Sequence, residues 1–324
     1  MPTLRPIGRS GLRTAPLAFG CNVFGWTVDA PTAFRLLDAV VEAGCNLIDT
    51  ANIYSLWVPG NEGGESETII GQWLARNPSK RASTLIATKV GWDMGPGGKG
   101  LRADYILQAC EASLKRLQTD HIDLYYSHTD DPSVPQEETL GAYQQLIEAG
   151  KVRVIGASNY SAERLAEALE ISARHNLPRY EALQPPYNLY DRAEFEAELQ
   201  PLCLREQISA IPYYGLAKGF LSGKYRSEAD LGKSARGGSV GAYLNPRGFR
   251  ILAALDDVAA KHNVRPASIA LAWMMAQPAV TAPIASATSL EQLEDLLAAT
   301  RLELSASELD TLTNASAEEA GATA

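Results

Sequence analysis

A chain of 324 residues, 46% hydrophobic and 21% charged, has the balance of a folded globular protein and suffices for one large α/β barrel. Its net charge of −9 argues against nucleic acid or an anionic membrane as partner, while a local basic pocket for one phosphate stays compatible with it. Four scattered cysteines (Cys21, Cys45, Cys110, Cys203), no C-x-x-C pair, no apolar leader and no bilayer-spanning apolar run lead us to expect a cytoplasmic protein with reduced thiols.

The opening segment TLRPIGRSGLRTAP (3–16) predicts a hairpin. Short apolar or β-branched runs follow at 16–20 (PLAFG), 46–50 (NLIDT), 84–89 (TLIATK), 122–128 (IDLYYSH), 152–158 (VRVIGAS), 180–184 (YEALQ), 208–213 (ISAIPY) and 280–285 (VTAPIA). Stretches with helical spacing separate them, among them APTAFRLLDAVVEAG, SETIIGQWLARN, ADYILQACEASLKRLQ and SAERLAEALEISARH. Ser161 and Pro135 stand where helix N-termini are expected. Eight strands alternating with helices predict a (β/α)8 TIM barrel with an N-terminal β-hairpin, as one domain over 1–324. A doubly wound sheet is the alternative, because GPGGKG (95–100) matches G-x-G-x-x-G. VGWDM separates those glycines from their strand and Pro96 stiffens them, so the segment reads as a loop.

The strand ends carry the chemistry. Asp49 closes the second run, with Tyr54 five residues on; Lys89 closes the third, His128 the fourth, Ser158 and Asn159 the fifth, Gln184 the sixth and Tyr213 the seventh. Singly, an acid here caps a turn and a lysine snorkels to solvent. In a barrel, however, these ends converge on one face, where active sites are built. A tyrosine, with a pKa of about 10, is a poor proton donor or acceptor at neutral pH; an adjacent ammonium favours its phenolate, and a buried carboxylate keeps that ammonium charged. A neutral histidine donates to a carbonyl oxygen. Beside a hydride source, the set Asp49, Tyr54, Lys89 and His128 reduces a carbonyl. Four histidines without a His-x-His pair lead us to expect no catalytic metal.

The stretches GCNLIDTANIY (44–54), IATKVG (86–91), LKRLQTDHIDLYYSH (114–128), GKVRVIGASNY (150–160) and GFLSGKY (219–225) together resemble an aldo-keto reductase over nearly the whole chain. The likeness is to the bacterial branch with sugar- and inositol-linked reductases rather than to mammalian aldose reductases. It implies a small-molecule carbonyl or alcohol substrate, NADP(H) or NAD(H) as cofactor, and a catalytic tetrad of Asp49, Tyr54, Lys89 and His128. It further implies that Ser158, Asn159 and Gln184 hold the nicotinamide carboxamide and that Tyr213 stacks on the ring. A long loop after the seventh strand, with Leu216, Lys218, Gly219 and Leu221, would wrap the pyrophosphate, while Ser286, Thr288 and Gln292 line the adenosine.

Three departures from the family pattern stand out. Ser55 replaces the usual glycine after the tyrosine and opens the insert SLWVPGNEGGE, which we expect to form a mobile, glycine-bearing flap. Trp57 in that insert, together with Trp92, is expected to meet substrate. YYGL (213–216) stands where many members have Tyr-Ser-Pro-Leu. Thr288 stands where many place an arginine on the 2′-phosphate, so discrimination between the two nicotinamide cofactors should be modest unless Lys218, Lys224, Arg226, Lys233 or Arg236 substitutes. Two other readings remain: a lyase using Lys89 as a Schiff base, and a non-catalytic nucleotide-sensing subunit.

Overall fold

The structure, a computed structural model, describes residues 1–234 and 237–317. Two short antiparallel strands, β1 (Arg5–Pro6) and β2 (Arg13–Thr14), form the expected hairpin. Eight parallel strands follow: β3 (Ala18–Gly20), β4 (Leu47–Asp49), β5 (Leu85–Val90), β6 (Ile122–Ser127), β7 (Val152–Ser158), β8 (Tyr180–Gln184), β9 (Ser209–Ala210) and β10 (Ile284–Ala285). They lie in the order β10-β3-β4-β5-β6-β7-β8-β9. The ring closes where Thr281 N–H donates to the Ala210 carbonyl and Ile284 N–H to that of Pro212, both at 2.8 Å. The fold is therefore a (β/α)8 barrel.

Among the described residues, ten α-helices flank the strands: α1 (Ala30–Glu42), α2 (Glu65–Arg76), α3 (Ala103–Leu117), α4 (Gln136–Glu148), α5 (Ala162–His175), α6 (Gln200–Glu206), α7 (Pro246–His262), α8 (Pro266–Met275), α9 (Leu290–Ala299) and α10 (Ala306–Ala315). Ser161 caps α5 by accepting the Arg164 N–H at 3.2 Å, and Pro135 precedes α4, as the local sequence signals require. GPGGKG falls in the loop ahead of α3, with a single 3-10 turn at Gly95–Gly97. The seventh and eighth strands are much shorter than their apolar runs. Pro212 and Pro283 lie beyond the ladders of β9 and β10 and have no N–H to donate.

Side-chain alternation turns this frame into a site. Leu47, Ala87, Leu124, Val154 and Ala182 fill the barrel interior, and Ile7 and Leu12 of the hairpin join the same cluster. Two residues further along their strands, the same inward direction presents Asp49, Lys89, Tyr126, Gly156 and Gln184. One more inward step beyond Tyr126 and Gly156 brings His128 and Ser158. At Gly156 a Cβ would come within 2.4 Å of the Tyr126 ring, so only glycine leaves that ring its place across the barrel. The strand-end residues thus form the top layer of a packed interior.

Candidate active site

Lys89 is fully buried at the floor of this layer. Its Nζ donates to Asp49 Oδ1 and to the Thr50 carbonyl, both at 2.6 Å, and to Tyr54 Oη at 3.3 Å. The second Asp49 oxygen accepts from Gln184 Nε2 at 2.9 Å. Thr88, pointing outward from the same strand, donates to buried Glu67 of α2 at 2.5 Å, and Arg116 of α3 holds the other Glu67 oxygen at 2.7 Å. The strand carrying Lys89 is therefore tied to the helices behind it as well as to its neighbours.

The Tyr54 and His128 rings meet edge-on, 5.9 Å apart. His128 Nδ1 is buried without a partner, while the ring lines the cleft above Lys89. An unpaired buried acceptor is tolerated better than an unpaired buried N–H, which favours the tautomer that carries its proton on Nε2, toward the cleft. Burial, with Lys89 adding to it, holds the His128 pKa well below the ordinary imidazole value, so the ring is neutral. For Lys89, burial opposes the charge, but Asp49 and then Tyr54 outweigh it and the pKa rises. Tyr54 departs from the direction expected of a lysine neighbour: burial pushes its hydroxyl up, and the Lys89 charge offsets that only in part. At neutral pH the set is thus a charged lysine, a protonated phenol and a neutral imidazole.

These groups lie at one end of a cleft of about 1020 Å³. Ser158, Asn159, Gln184, Tyr213, Leu216, Lys218, Gly219, Ser286, Thr288 and Gln292 all line it. Asn159, in the left-handed region at φ 56°, donates through Nδ2 to the His128 carbonyl at 2.8 Å and accepts from Tyr213 Oη at 2.8 Å. Ser158 Oγ donates to the Gln184 carbonyl at 2.9 Å. Leu221 does not line the cleft: its side chain is buried in the core, and its N–H closes a turn on the Leu216 carbonyl at 3.2 Å. Of the basic side chains of the long loop, Lys218, Lys224 and Lys233 line the cleft. Arg226 is instead clasped by Asp256 through two bonds of 2.8 Å, and Arg236 lies outside the described residues.

Trp57 and Trp92 stand over the tetrad, each half exposed. Trp57 meets Tyr54 edge-on at 5.8 Å and Trp26 at 5.9 Å, while Trp92 meets His128 at 5.9 Å. The insert is better anchored than its glycines suggested. Glu65 accepts the N–H groups of Glu62, Gly63 and Ser55 at 2.8, 3.2 and 3.3 Å, and Asn61 Nδ2 donates to the Gly25 and Ser55 carbonyls, both at 3.1 Å. Ser55, standing where the family usually has glycine, uses its hydroxyl to bond the Phe24 carbonyl at 2.9 Å. Sequence reasoning passed over Trp26, Arg265 and Asp295, which also line the cleft, as does Tyr214 of the YYGL stretch. Trp26 had a signal, a tryptophan just past the first strand; the others had none in local pattern.

Among the described residues no cluster of three or more His, Cys, Asp or Glu is placed to hold a metal, and no helix is long and apolar enough to cross a membrane. The family model of the aldo/keto reductase family matches residues 16–317. The chain is 34% identical over 305 residues to an uncharacterized oxidoreductase, YrpG, of Bacillus subtilis (strain 168), covering 92% of this chain and 91% of that one. It is 34% identical over 324 residues to Protein tas of Escherichia coli (strain K12), covering 92% and 93%. It is also 32% identical over 296 residues to a probable voltage-gated potassium channel subunit beta of Oryza sativa subsp. japonica, covering 89% and 88%. The chain belongs to the aldo/keto reductase family, a family of oxidoreductases.

Proposed function

We propose that this protein reduces an aldehyde or ketone to the alcohol with NADPH or NADH, by direct hydride transfer. The observation that carries the reading is the Lys89 ammonium, buried at the cleft floor between Asp49 and the Tyr54 hydroxyl. The cleft residues fit the cofactor. Tyr213 offers a ring face, and Gln184 keeps its Oε1 for a carboxamide while its Nε2 is spent on Asp49. At Gly20 a Cβ would come within 2.8 Å of Ser286 Oγ, so bare backbone lines that part of the cleft wall.

When bound, the nicotinamide supplies the hydride to the carbonyl carbon. His128 Nε2–H orients the carbonyl oxygen, and the Tyr54 hydroxyl gives its proton to that oxygen as negative charge develops there. Lys89 stabilises the phenolate left behind, and Asp49 holds Lys89 charged and aimed. A Schiff base at Lys89 would need a neutral, accessible amine, which two short contacts, a longer one to Tyr54 and a raised pKa oppose. The channel-subunit name of the rice relative lends only weak support to the second reading, a non-catalytic nucleotide-sensing subunit, and the assembled tetrad favours turnover.

The test is loss of reduced-nicotinamide absorbance across a panel of aldehydes and ketones. If the protein binds the cofactor and no carbonyl oxidises it, the sensing reading replaces this one. Trapping of substrate on Lys89 by borohydride, without nicotinamide, would establish the lyase.

A further inference from the structure

We infer that Arg265 is the side chain that tells a phosphorylated adenosine ribose from an unphosphorylated one, and so sets the preference between the two nicotinamide cofactors. The inference rests on the cofactor reading above. Arg265 is the N-cap of α8, immediately before Pro266, with extended backbone (φ −86°, ψ 155°) and no capping bond from its side chain to the helix. Arg265 lines the cleft together with Thr288, Gln292 and Asp295. Its guanidinium reaches α9, pairing with Glu291 and, at 3.4 Å, with Asp295, the residues that flank Gln292 on the helix surface. A planar fork of donors is therefore held beside the adenosine wall.

The turn before α9 offers no charge of its own. Thr288 spends both its N–H and its hydroxyl on Gln292 Oε1, at 2.9 and 3.0 Å. The loop cations that line the cleft have contacts of their own, and only Lys233 is paired with a carboxylate. Lys218 lies over the Tyr214 ring at 5.6 Å and Lys224 over the Tyr225 ring at 5.1 Å. Lys233 is held by Asp230 at 2.7 Å and by the Lys224 carbonyl at 3.0 Å. The loop nevertheless closes onto the start of α8. A Cβ on Gly223 would lie 3.2 Å from Pro266, next to Arg265.

The existing partners of Arg265 are exchangeable. The Arg265 and Glu291 side chains are 61% and 73% exposed, and ion pairs that open to water add little. A phosphate monoester offers a doubly charged acceptor that matches the guanidinium fork, and it displaces Glu291. Without the phosphate, Glu291 keeps its partner and the ribose hydroxyl is tolerated. Both cofactors are then usable, with Arg265 setting the ratio.

The experiment is isothermal titration with adenosine 2′,5′-bisphosphate and with adenosine 5′-monophosphate, at one ionic strength. It compares the wild type, Arg265→Ala and Glu291→Gln. Arg265→Ala should weaken the bisphosphate by about tenfold or more and leave the monophosphate within about twofold. Glu291→Gln should tighten the bisphosphate alone. Equal losses for both nucleotides would show that Arg265 packs on the adenosine, and no loss would show that another group reads the phosphate; either overturns the inference while the cofactor reading stands. A wild type that binds neither nucleotide overturns both.

Discussion

Gln184 Nε2 donates to Asp49 Oδ2 at 2.9 Å, so a residue assigned to the nicotinamide also supports the carboxylate that orients Lys89. Gln184→Leu removes that donor and leaves a buried carboxylate oxygen short of a partner, a loss of about 1–3 kcal/mol. Cofactor affinity and kcat should therefore fall together, each by about tenfold. Fluorescence titration of cofactor binding beside steady-state rates measures this, and a variant that loses affinity at unchanged kcat would show the Asp49 contact to be incidental.

Tyr54→Phe keeps the ring against Trp57 and His128 and removes the proton. General acid catalysis contributes about 10²–10⁴-fold, so turnover should fall by that range while cofactor affinity holds near wild type. If more than about a third of kcat survives in a chemistry-limited assay, the acid lies elsewhere.

His128 gives the fold a dependence on acid. Its pKa lies well below the ordinary 6.5, so the native chain binds fewer protons here than the unfolded chain does as pH drops past that value. This contribution to stability is fully present above 6.5 and is lost progressively below it. Urea denaturation at about pH 7 and about pH 5 should show the wild type losing more stability than His128→Asn. A difference between the two proteins that does not change with pH would sink the argument.

The tryptophans over the tetrad bear on substrate choice. Trp57→Ala removes one wall, and the contact to Trp26 with it, but no donor or acceptor of the tetrad. KM should rise unevenly over a panel of aromatic and sugar-like carbonyls, with kcat less affected. A uniform change, or none, would make Trp57 a bystander.

Cofactor discrimination should be modest. Arg265 must exchange Glu291 for a phosphate, and Thr288 adds no charge. We expect kcat/KM for NADPH to exceed that for NADH by less than about 100-fold, roughly 2.7 kcal/mol. Steady-state measurement with one carbonyl at fixed ionic strength decides it, and a ratio above about 1,000 would require a further cation on the phosphate.

The barrel was legible because its strands are buried runs ending in residues that a strand interior excludes; the same feature exposed Asp49, Lys89, His128 and Gln184. Alternation did the rest, since Leu47 and Ala87 fix which way Asp49 and Lys89 must point. The Leu221 side chain faces the core, a direction that a loop, having no period, does not reveal in sequence. The direction of the Tyr54 pKa was hidden for another reason: burial comes from the whole enclosure, whereas sequence shows only the neighbouring charge. Arg265 and Asp295 reach the cleft through the packing of α8 on α9, a contact that no local pattern records.

The stitched insert has a kinetic consequence. With Glu65 and Asn61 bonding residues 55–63 to one another and to Gly25, the wall beside Tyr54 is braced, and a substrate entering there would be selected by fit. The opposite wall is built differently. Tyr214, Ala217 and Lys218 are held at positive φ around Gly219, and the Lys218 head rests on an aromatic face rather than on a carboxylate. Any opening and closing that turnover needs would fall on this side, which would clasp the nucleotide. The rate at which spent cofactor leaves, rather than passage of the small molecule, is where a ceiling on turnover would form.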